Sequence, residues 1–341
     1  MNLDELNKVA LAMVAPGKGI LAADESNNTI KKRFDAIGVE STEDNRRDYR
    51  ELLFRSADGM KHISGVILYD ETIRQKAKDG TPLVKLIERA GALPGIKVDK
   101  GTKPLALAHE GEVITEGLDG LRERLVEYRN LGARFAKWRA VIDIGKGYPT
   151  QNCIHANAHA LARYAALCQE QDIVPIVEPE VLMDGDHDAD RCFSVTEQVL
   201  KTVFNELFEA HVMLEGMVLK PNMVIAGKKS AKQASVEEVA EKTVTVLKIC
   251  VPAAVPGIAF LSGGQSDEQA TAHLDAMNRS GNLPWRVTFS YGRALQHAPQ
   301  TAWKGKAENV AAAQRAFAHR AHMNGLAALG QWKADMEKKA A

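Results

Sequence analysis

A single lysine ends an otherwise apolar run in the segment Leu214–Val224, which reads LEGMVLKPNMV. Side chains alternate along a β-strand, so Val218, Lys220 and Asn222 are predicted to share one face while their neighbours pack on the other. An ammonium group in apolar surroundings loses hydration, which favours the neutral amine that attacks carbonyl carbons. Lys220 is therefore a candidate for imine formation. The alternative is a lysine that ends a strand at the protein surface, the commoner environment for this residue type.

Charged residues also close other apolar segments of the chain. Spacing by two places Lys137 with Arg139 on one strand face, and Glu178 with Glu180 on another. If these faces point inward, the charges converge on one pocket, where cations further favour the neutral amine and carboxylates transfer protons. Singly, each charge could be a helix cap, an ion-pair partner or a solvated group, but solvated charges have no reason to recur at six apolar segments. The predicted cluster comprises Asp24, Lys97, Lys137, Arg139, Glu178, Glu180 and Lys220.

The segments that carry these charges alternate with stretches of helical periodicity, the first of which is Leu3–Val14. Strands that alternate with helices predict parallel β/α units, and eight such units favour a (β/α)8 TIM barrel of the α/β class over an open doubly wound sheet. No Gly-x-Gly-x-x-Gly motif follows a strand, which disfavours a dinucleotide-binding fold. The predicted strands lie within Ile20–Ala23, Gly65–Tyr69, Gly95–Gly101, Ala133–Val141, Ile173–Val177, Leu214–Val224, Gly257–Leu261 and Arg286–Ser290.

Composition narrows the class of protein. The 341 residues show no linker or low-complexity break, so we expect one domain over 1–341, with a barrel core at about 19–305 and additional N- and C-terminal helices, the latter at about 306–341. Lys plus Arg and Asp plus Glu both number 44, so no net charge attracts nucleic acid or a membrane surface. The apolar run Val9–Ala15 is too short to span a bilayer, and the four cysteines lack metal-type spacing. A soluble, cytoplasmic protein is expected.

Two glycine-containing loops predict a phosphate site. In barrels of this kind the loops after the last two strands commonly bind phosphate, and here they read SGGQS from Ser262 and SYGR up to Arg293. Backbone N–H groups at Gly263 and Gly292, the serine hydroxyl and the guanidinium could cradle phosphate oxygens, although a simple tight turn is the alternative for the glycines. A doubly phosphorylated substrate with a carbonyl group is inferred. Candidates for holding the second anion are Ser26, Lys97 and Arg139.

Seven motifs follow one another in the order GILAADES, IKVDKG, FAKWR, VPIVEPE, LKPNMV, LSGGQS and FSYGR. With them the chain resembles the class I, Schiff-base-forming fructose-bisphosphate aldolases over nearly its whole length. The resemblance implies a TIM-barrel lyase that reversibly cleaves fructose 1,6-bisphosphate to dihydroxyacetone phosphate and glyceraldehyde 3-phosphate in glycolysis and gluconeogenesis. It also implies that no metal or other cofactor is required, and that the protein is a homo-oligomer, with a tetramer as the expected size.

The resemblance further implies a role for each site residue. Lys220 forms the imine, Glu178 acts as acid and base in carbinolamine formation and dehydration, and Asp24 deprotonates the C4 hydroxyl. Lys137 assists by charge and proton positioning, and Glu180 supports the network. The implied phosphate ligands are Ser262, Gly263, Gly292 and Arg293 at C1 and Ser26, Lys97 and Arg139 at the other end, with Arg33 as a further candidate.

One departure and two rival interpretations bear on this prediction. The chain ends in Met336–Ala341 without the terminal tyrosine of animal members, so enamine protonation is predicted to be slower or to use another group. A metal-dependent aldolase would need histidines at strand ends, whereas His155 and His159 lie one turn apart in a predicted helix. A catalytically silent phosphosugar-binding or scaffold protein is disfavoured, because the motif positions that carry the chemistry are unsubstituted.

Overall fold

The structure of the chain is a computed structural model that describes residues 1–340, so Ala341 of the predicted C-terminal extension lies outside the described residues. Eight parallel strands close into a barrel with helices between them, which confirms the predicted (β/α)8 fold. A short antiparallel hairpin, formed by the fourth and fifth strands, lies outside the barrel. The strands are β1 (Gly19–Ala23), β2 (Ile63–Leu68), β3 (Leu93–Lys97), β4 (Thr102–Pro104), β5 (Val113–Thr115), β6 (Phe135–Ile142), β7 (Val174–Val181), β8 (Val218–Leu219), β9 (Gly257–Phe260) and β10 (Arg286–Tyr291).

Polar residues begin many of the helices by accepting hydrogen bonds from backbone N–H groups of the first turn. Ser266 and Gln269 form a reciprocal capping box at the start of the eleventh helix. The helices are α1 (Leu3–Met13), α2 (Asn27–Asp35), α3 (Glu43–Phe54), α4 (Ala57–Met60), α5 (Asp70–Arg74), α6 (Leu83–Arg89), α7 (Leu121–Asn130), α8 (Gln151–Glu170), α9 (Ala189–Glu209), α10 (Val236–Cys250), α11 (Asp267–Arg279), α12 (Arg293–Trp303) and α13 (Val310–Ala327). Single 3-10 turns cover Leu214–Gly216 and Ala307–Asn309, and a longer 3-10 helix covers Ala334–Ala340.

The inside of the barrel is apolar at the N-terminal ends of the strands. Helix α1 closes this end, and its Leu6 and Met13 belong to one buried cluster with Phe135 of β6. The Phe135 ring occupies the space that side chains would fill at Gly65 and Gly95, since a Cβ atom at Gly65 would lie 2.9 Å from it. A large residue is therefore accommodated by two glycines on the neighbouring strands.

The predicted strand at the reactive lysine is wrong in extent. A 3-10 turn occupies Leu214–Gly216 and β8 is only two residues long, so the alternation of faces does not continue past Leu219. The amide of Asn222 donates to Thr196 Oγ1 of α9 at 3.2 Å. Asn222 thus lies between the barrel and a helix, and it does not share the face of Lys220.

The third strand also ends earlier than predicted, at Lys97 instead of Gly101. The carboxylate of Asp99 accepts from Lys97 Nζ at 2.7 Å and from the Gly101 N–H at 3.1 Å. Because these bonds turn the backbone toward the side chain, the segment leaves the sheet. The hairpin of β4 and β5, which follows this turn, was not predicted.

Candidate active site

A cavity of about 330 Å³ lies at the C-terminal ends of the barrel strands. Every residue predicted for the site lines it, from seven of the eight barrel strands or the loops and helices that follow them. Their functional roles stay predictions, but their convergence in one place is a structural finding. The predicted residues along its wall are Asp24, Ser26, Arg33, Lys97, Lys137, Arg139, Glu178, Glu180, Lys220, Ser262, Gly263, Gly292 and Arg293.

Four of these side chains form a continuous chain of ion pairs. Glu178 bridges two lysines, with Oε1 3.0 Å from Lys220 Nζ and Oε2 3.0 Å from Lys137 Nζ. Lys137 Nζ in turn donates to Asp24 Oδ2 at 2.9 Å. The side chains of Lys137, Glu178 and Lys220 are at most 5% exposed. A proton can therefore pass between neighbours that are shielded from water.

The charges in this chain stabilise one another. Burial alone would raise the pKa values of Asp24 and Glu178, but the ammonium groups of Lys137 and Lys220 outweigh that effect and lower both. Burial alone would lower the pKa of Lys137, but the carboxylates of Asp24 and Glu178 raise it. At neutral pH both acids are consequently carboxylates, which can accept protons, and Lys137 beside them stays an ammonium group.

A second group of ion pairs lies toward Lys97. Arg139 Nε is hydrogen-bonded to Glu180, which raises the pKa of the guanidinium although burial opposes this. Asp99 connects Lys97 to the neighbouring strand, because one of its oxygens binds Lys97 Nζ and the other accepts from the Arg139 N–H at 3.3 Å. Carboxylates thus fix the directions in which both cations extend into the cavity.

The two glycine loops meet around an arginine at the other side of the cavity. Arg293 Nη2 donates to Ser262 O at 3.2 Å and is also hydrogen-bonded to Gln265 O. A Cβ atom at Gly263 would lie 2.6 Å from the terminal methyl of Met183, so a larger residue here would require the Met183 side chain to move. Gly292 caps α12, whose N-terminal N–H groups suit an anion.

The helix that starts at the opposite wall presents a similar feature. Ser26 occupies the N-cap position of α2, and its hydroxyl lies 3.2 Å from Thr29 Oγ1 instead of accepting from a backbone N–H group of the first turn. Arg33, also on α2, reaches toward the glycine loops, since a Cβ atom at Gly292 would lie 3.7 Å from Arg33 Nη2. The cavity is therefore bounded by two helix N-termini, each of which favours a negatively charged ligand.

One acid in the cavity wall was missed by the sequence reasoning. Glu25 is buried, forms an ion pair with Arg33 and accepts from Gln296 Nε2 at 2.6 Å. It thereby holds Arg33 in the wall. Its position directly after Asp24, at the polar end of a strand, was the available signal. Thr29 and Ser290 also line the cavity and were not predicted.

The histidines considered for a metal-dependent mechanism lie elsewhere. His155 and His159 of α8 bind the two oxygens of Glu206 on α9, at 3.0 and 2.9 Å, away from the cavity wall. Among residues 1–340, no group of three or more His, Cys, Asp or Glu side chains is arranged to hold a metal ion. In the same part of the chain, none of the helices combines the length and apolar character needed to cross a bilayer.

Known proteins share this sequence and fold. The family model for fructose-bisphosphate aldolase class-I matches residues 5–341. A Xanthomonas campestris protein named probable fructose-bisphosphate aldolase class 1 is 61% identical over 334 residues, covering 98% of this chain and 100% of the relative. An Arabidopsis thaliana protein named fructose-bisphosphate aldolase 6, cytosolic, is 55% identical over 97% of this chain and 92% of its own. A solved structure of Plasmodium falciparum fructose-bisphosphate aldolase has a TM-score of 0.96 at 50% identity, covering 97% of this chain and 96% of that one.

Fold and comparisons together define a carbon–carbon lyase built on a (β/α)8 barrel. Within that class, the chain belongs to the class-I fructose-bisphosphate aldolase family. It cleaves fructose 1,6-bisphosphate reversibly to dihydroxyacetone phosphate and glyceraldehyde 3-phosphate, a reaction of glycolysis and gluconeogenesis. The family and the reaction implied by the sequence motifs are confirmed.

Proposed function

We propose that Lys220 is the group that forms an imine with the ketose carbonyl. The observation that carries this proposal is the ion-pair chain from Lys220 through Glu178 and Lys137 to Asp24. Glu178 is close enough, at 3.0 Å, to accept the lysine proton and release the neutral amine. The amine adds to C2 and gives a carbinolamine. A proton from Glu178 then lets the hydroxyl leave as water, which produces the protonated imine.

Carbon–carbon cleavage follows from the same arrangement. Asp24 accepts the proton of the C4 hydroxyl while the C3–C4 bond breaks, which releases glyceraldehyde 3-phosphate. The electron pair of that bond moves into the imine and forms a neutral enamine. Lys137, which lies between Asp24 and Glu178, assists by its positive charge and by positioning the proton. Glu180 supports the network of ion pairs by holding Arg139. Protonation of the enamine and hydrolysis of the imine return dihydroxyacetone phosphate.

The two ends of the cavity are proposed to bind the two phosphates. Ser262, Gly263, Gly292 and Arg293 supply a hydroxyl, backbone N–H groups and a guanidinium for the C1 phosphate. The C6 phosphate would lie at the other wall, against Ser26, Lys97 and Arg139. Arg33 is proposed to contribute to the C1 side instead, because it lies beside Gly292. Two anchored phosphates would hold C2 near Lys220 and C4 near Asp24.

Borohydride reduction tests the imine. The intact protein is incubated with dihydroxyacetone phosphate and borohydride, its mass is measured, and any adduct is located by peptide mapping. We expect a single reduced adduct on Lys220 and none in Lys220→Met. Lys228→Met is the matched control, because Lys228 is an exposed lysine in the following loop. It should acquire the adduct as the unmodified chain does.

Two other results would contradict the proposal. An adduct on Lys137 or Lys97 would keep imine chemistry but move it to another residue. No adduct in the unmodified chain, despite ligand binding shown by calorimetry, would remove the imine mechanism. If fructose 1,6-bisphosphate were also not cleaved, the silent phosphosugar-binding interpretation would replace the enzymatic one.

Cleavage is proposed to need no metal or other cofactor, because the imine itself accepts the electron pair. The cleavage rate should be unchanged after exhaustive chelation with EDTA. Loss of activity that is restored by Zn²⁺ would contradict this.

A homotetramer and a cytoplasmic location are proposed from the family resemblance and from the cytosolic Arabidopsis relative. Light scattering and cell fractionation test them. The single domain over 1–341, with a barrel core at about 19–305, stays a prediction.

Enamine protonation is proposed to be slow or to use a group other than the chain terminus. The measurement is exchange of the C3 proton of dihydroxyacetone phosphate with solvent, at saturating ligand so that a change in affinity does not affect the rate, before and after deletion of Ala334–Ala341. Equal exchange rates would remove any role of this segment in proton transfer.

A further inference from the structure

One largely shielded carboxylate holds the C-terminal 3-10 helix against α13. Glu337 Oε2 accepts from Arg320 Nη1 at 2.6 Å and lies 2.8 Å from His319 Nε2. Its second oxygen accepts from Trp332 Nε1 at 3.0 Å. The Glu337 side chain is 9% exposed and that of Arg320 is 5% exposed. This 3-10 helix is therefore fixed by a shielded ion pair, and removal of one partner from such a pair costs more than it does at the surface.

The same arginine continues toward the glycine loops. Arg320 Nη2 donates to Thr271 Oγ1 at 2.6 Å and to the backbone carbonyl of Asp267 at 3.2 Å. Asp267 is the first residue of α11, and its Oδ1 lies 3.6 Å from Arg293 Nη1. A short series of contacts thus runs from Glu337 through Arg320 and Asp267 to the guanidinium in the cavity wall.

We propose that Glu337 is a positioning residue for Arg293, and that it strengthens binding of the C1 phosphate through Arg320 and Asp267. The inference rests on the proposed phosphate-binding role of Arg293. Nothing in the reaction requires Glu337 to contact the substrate. It would act by fixing the helix end that carries Asp267.

The physical reason is the freedom of an exposed arginine. The Arg293 side chain is 45% exposed, and a long side chain loses rotamer entropy when it is immobilised by a ligand. Its present contacts are the carbonyls of Ser262 and Gln265 and the Asp267 carboxylate, all in the segment that begins α11. Because Arg320 holds this segment in place, the Arg293 side chain has less conformational freedom even before phosphate binds. If the segment were looser, the ligand itself would have to immobilise the Arg293 side chain, and it would therefore bind more weakly.

The test is a double-mutant cycle on ligand affinity. The dissociation constant of dihydroxyacetone phosphate is measured by calorimetry for the unmodified chain, Glu337→Gln, Arg293→Lys and the double variant. We expect Glu337→Gln to weaken binding about five-fold, and to have no further effect when Arg293 is already replaced. The KM for fructose 1,6-bisphosphate should rise by a similar factor, with kcat changed less than about two-fold. Asp335→Asn, an exposed acid in the same turn, should leave both constants unchanged.

Each other outcome has a distinct meaning. Unchanged affinity in Glu337→Gln would overturn the inference, and so would an equal loss in both Arg293 backgrounds, because Glu337 would then act independently of Arg293. An equal loss in Asp335→Asn would overturn it as well, since total tail charge would be the cause. If the unmodified chain bound dihydroxyacetone phosphate but did not cleave fructose 1,6-bisphosphate, the proposed function would fail, while the affinity cycle would still decide the role of Glu337.

Discussion

The two ends of the barrel interior are built from the same strands and differ in nearly every physical property. At the N-terminal end, Phe135 packs against helix α1 in a cluster with no charge. Two residues further along β6, the side chain at the same inward-facing register is Lys137, which forms ion pairs with two acids. In β7 the same change takes place between Ile176 and Glu178. Along one face of a strand, the apolar layer and the charged layer are therefore only two residues apart.

This comparison shows that stability and activity are assigned to different layers of one barrel. Apolar packing at the closed end stabilises the fold and contributes no charged or polar group to the cavity. The charged layer is stabilised by mutual ion pairing but remains costly to bury. Substitutions in the apolar layer should therefore change the free energy of unfolding and leave kcat nearly constant, whereas substitutions in the charged layer should do the reverse.

The largest effect is expected for Lys220→Met. The substitution removes the amine and keeps a side chain of similar length, so cleavage should fall by at least about 10⁴-fold. The free energy of unfolding in urea should stay within about 2 kcal/mol, because Glu178 keeps its ion pair with Lys137. A coupled assay of fructose 1,6-bisphosphate cleavage measures the rate. A large loss of stability would show that the layers are not independent.

Phe135→Ala should give the converse result. Removal of a buried ring leaves a cavity beside Gly65 and Gly95 and lowers the free energy of unfolding by about 3–5 kcal/mol. The folded fraction should retain kcat within about ten-fold, because Lys137 is held by its own ion pairs. Urea unfolding and active-site-normalised kinetics measure the two quantities. A kcat loss as large as that of Lys220→Met would refute the separation.

Glu178→Gln should have an intermediate effect on rate. The amide keeps the shape of the side chain but cannot accept the Lys220 proton, so cleavage should fall about 10²- to 10³-fold. Trapping of the imine by borohydride should slow as well. Glu209→Gln, at the end of α9, is the control and should have no effect. Normal trapping with slow cleavage would move the role of Glu178 to a later step.

The smallest effect concerns pH. Burial lowers the pKa of His273 from 6.5 to about 4, and the ring is hydrogen-bonded to Gln265 at 2.7 Å. Between these values the unfolded chain binds a proton that the folded chain does not, so stability falls as the pH drops below 6.5. At pH 5 the cost is about 2 kcal/mol. Between pH 7 and pH 5, the free energy of unfolding should fall by about 2 kcal/mol less in His273→Gln than in the unmodified chain, as measured by urea unfolding.

His297→Gln is the matched control for this experiment. His297 belongs to α12 and its side chain is 68% exposed. Because this ring is exposed to solvent and not buried like that of His273, the substitution should leave the slope of stability against pH as it is in the unmodified chain. A similar change in slope for both variants would show that burial of His273 is not the cause.

Sequence reasoning located most of the site because β6 and β7 are long, regular strands. Over eight residues, alternation places Lys137 with Arg139 and Glu178 with Glu180 on single faces, as observed. The same rule failed at Asn222, because β8 is only two residues long and ends at Leu219. Periodicity is informative only where the element that imposes it is long enough to persist.

Other features could not be predicted because they depend on partners distant in sequence. The turn at Asp99 requires three hydrogen bonds from separate groups, and the hairpin of β4 and β5 is too short to show a pattern. Helix α2 has a weakly apolar sequence and was therefore missed, together with the role of Glu25 in holding Arg33. The contact of Glu337 with Arg320 joins the chain terminus to α13, and no local spacing indicates it.

The close packing of Phe135 against Gly65 and Gly95 has an evolutionary consequence. These positions lie on three neighbouring strands, and the ring fills the space that two side chains would otherwise need. A larger residue at either glycine would clash unless Phe135 became smaller at the same time. The three positions should consequently covary among relatives, so that a lineage which replaces the phenylalanine becomes free to lose the glycines, and one which keeps it does not.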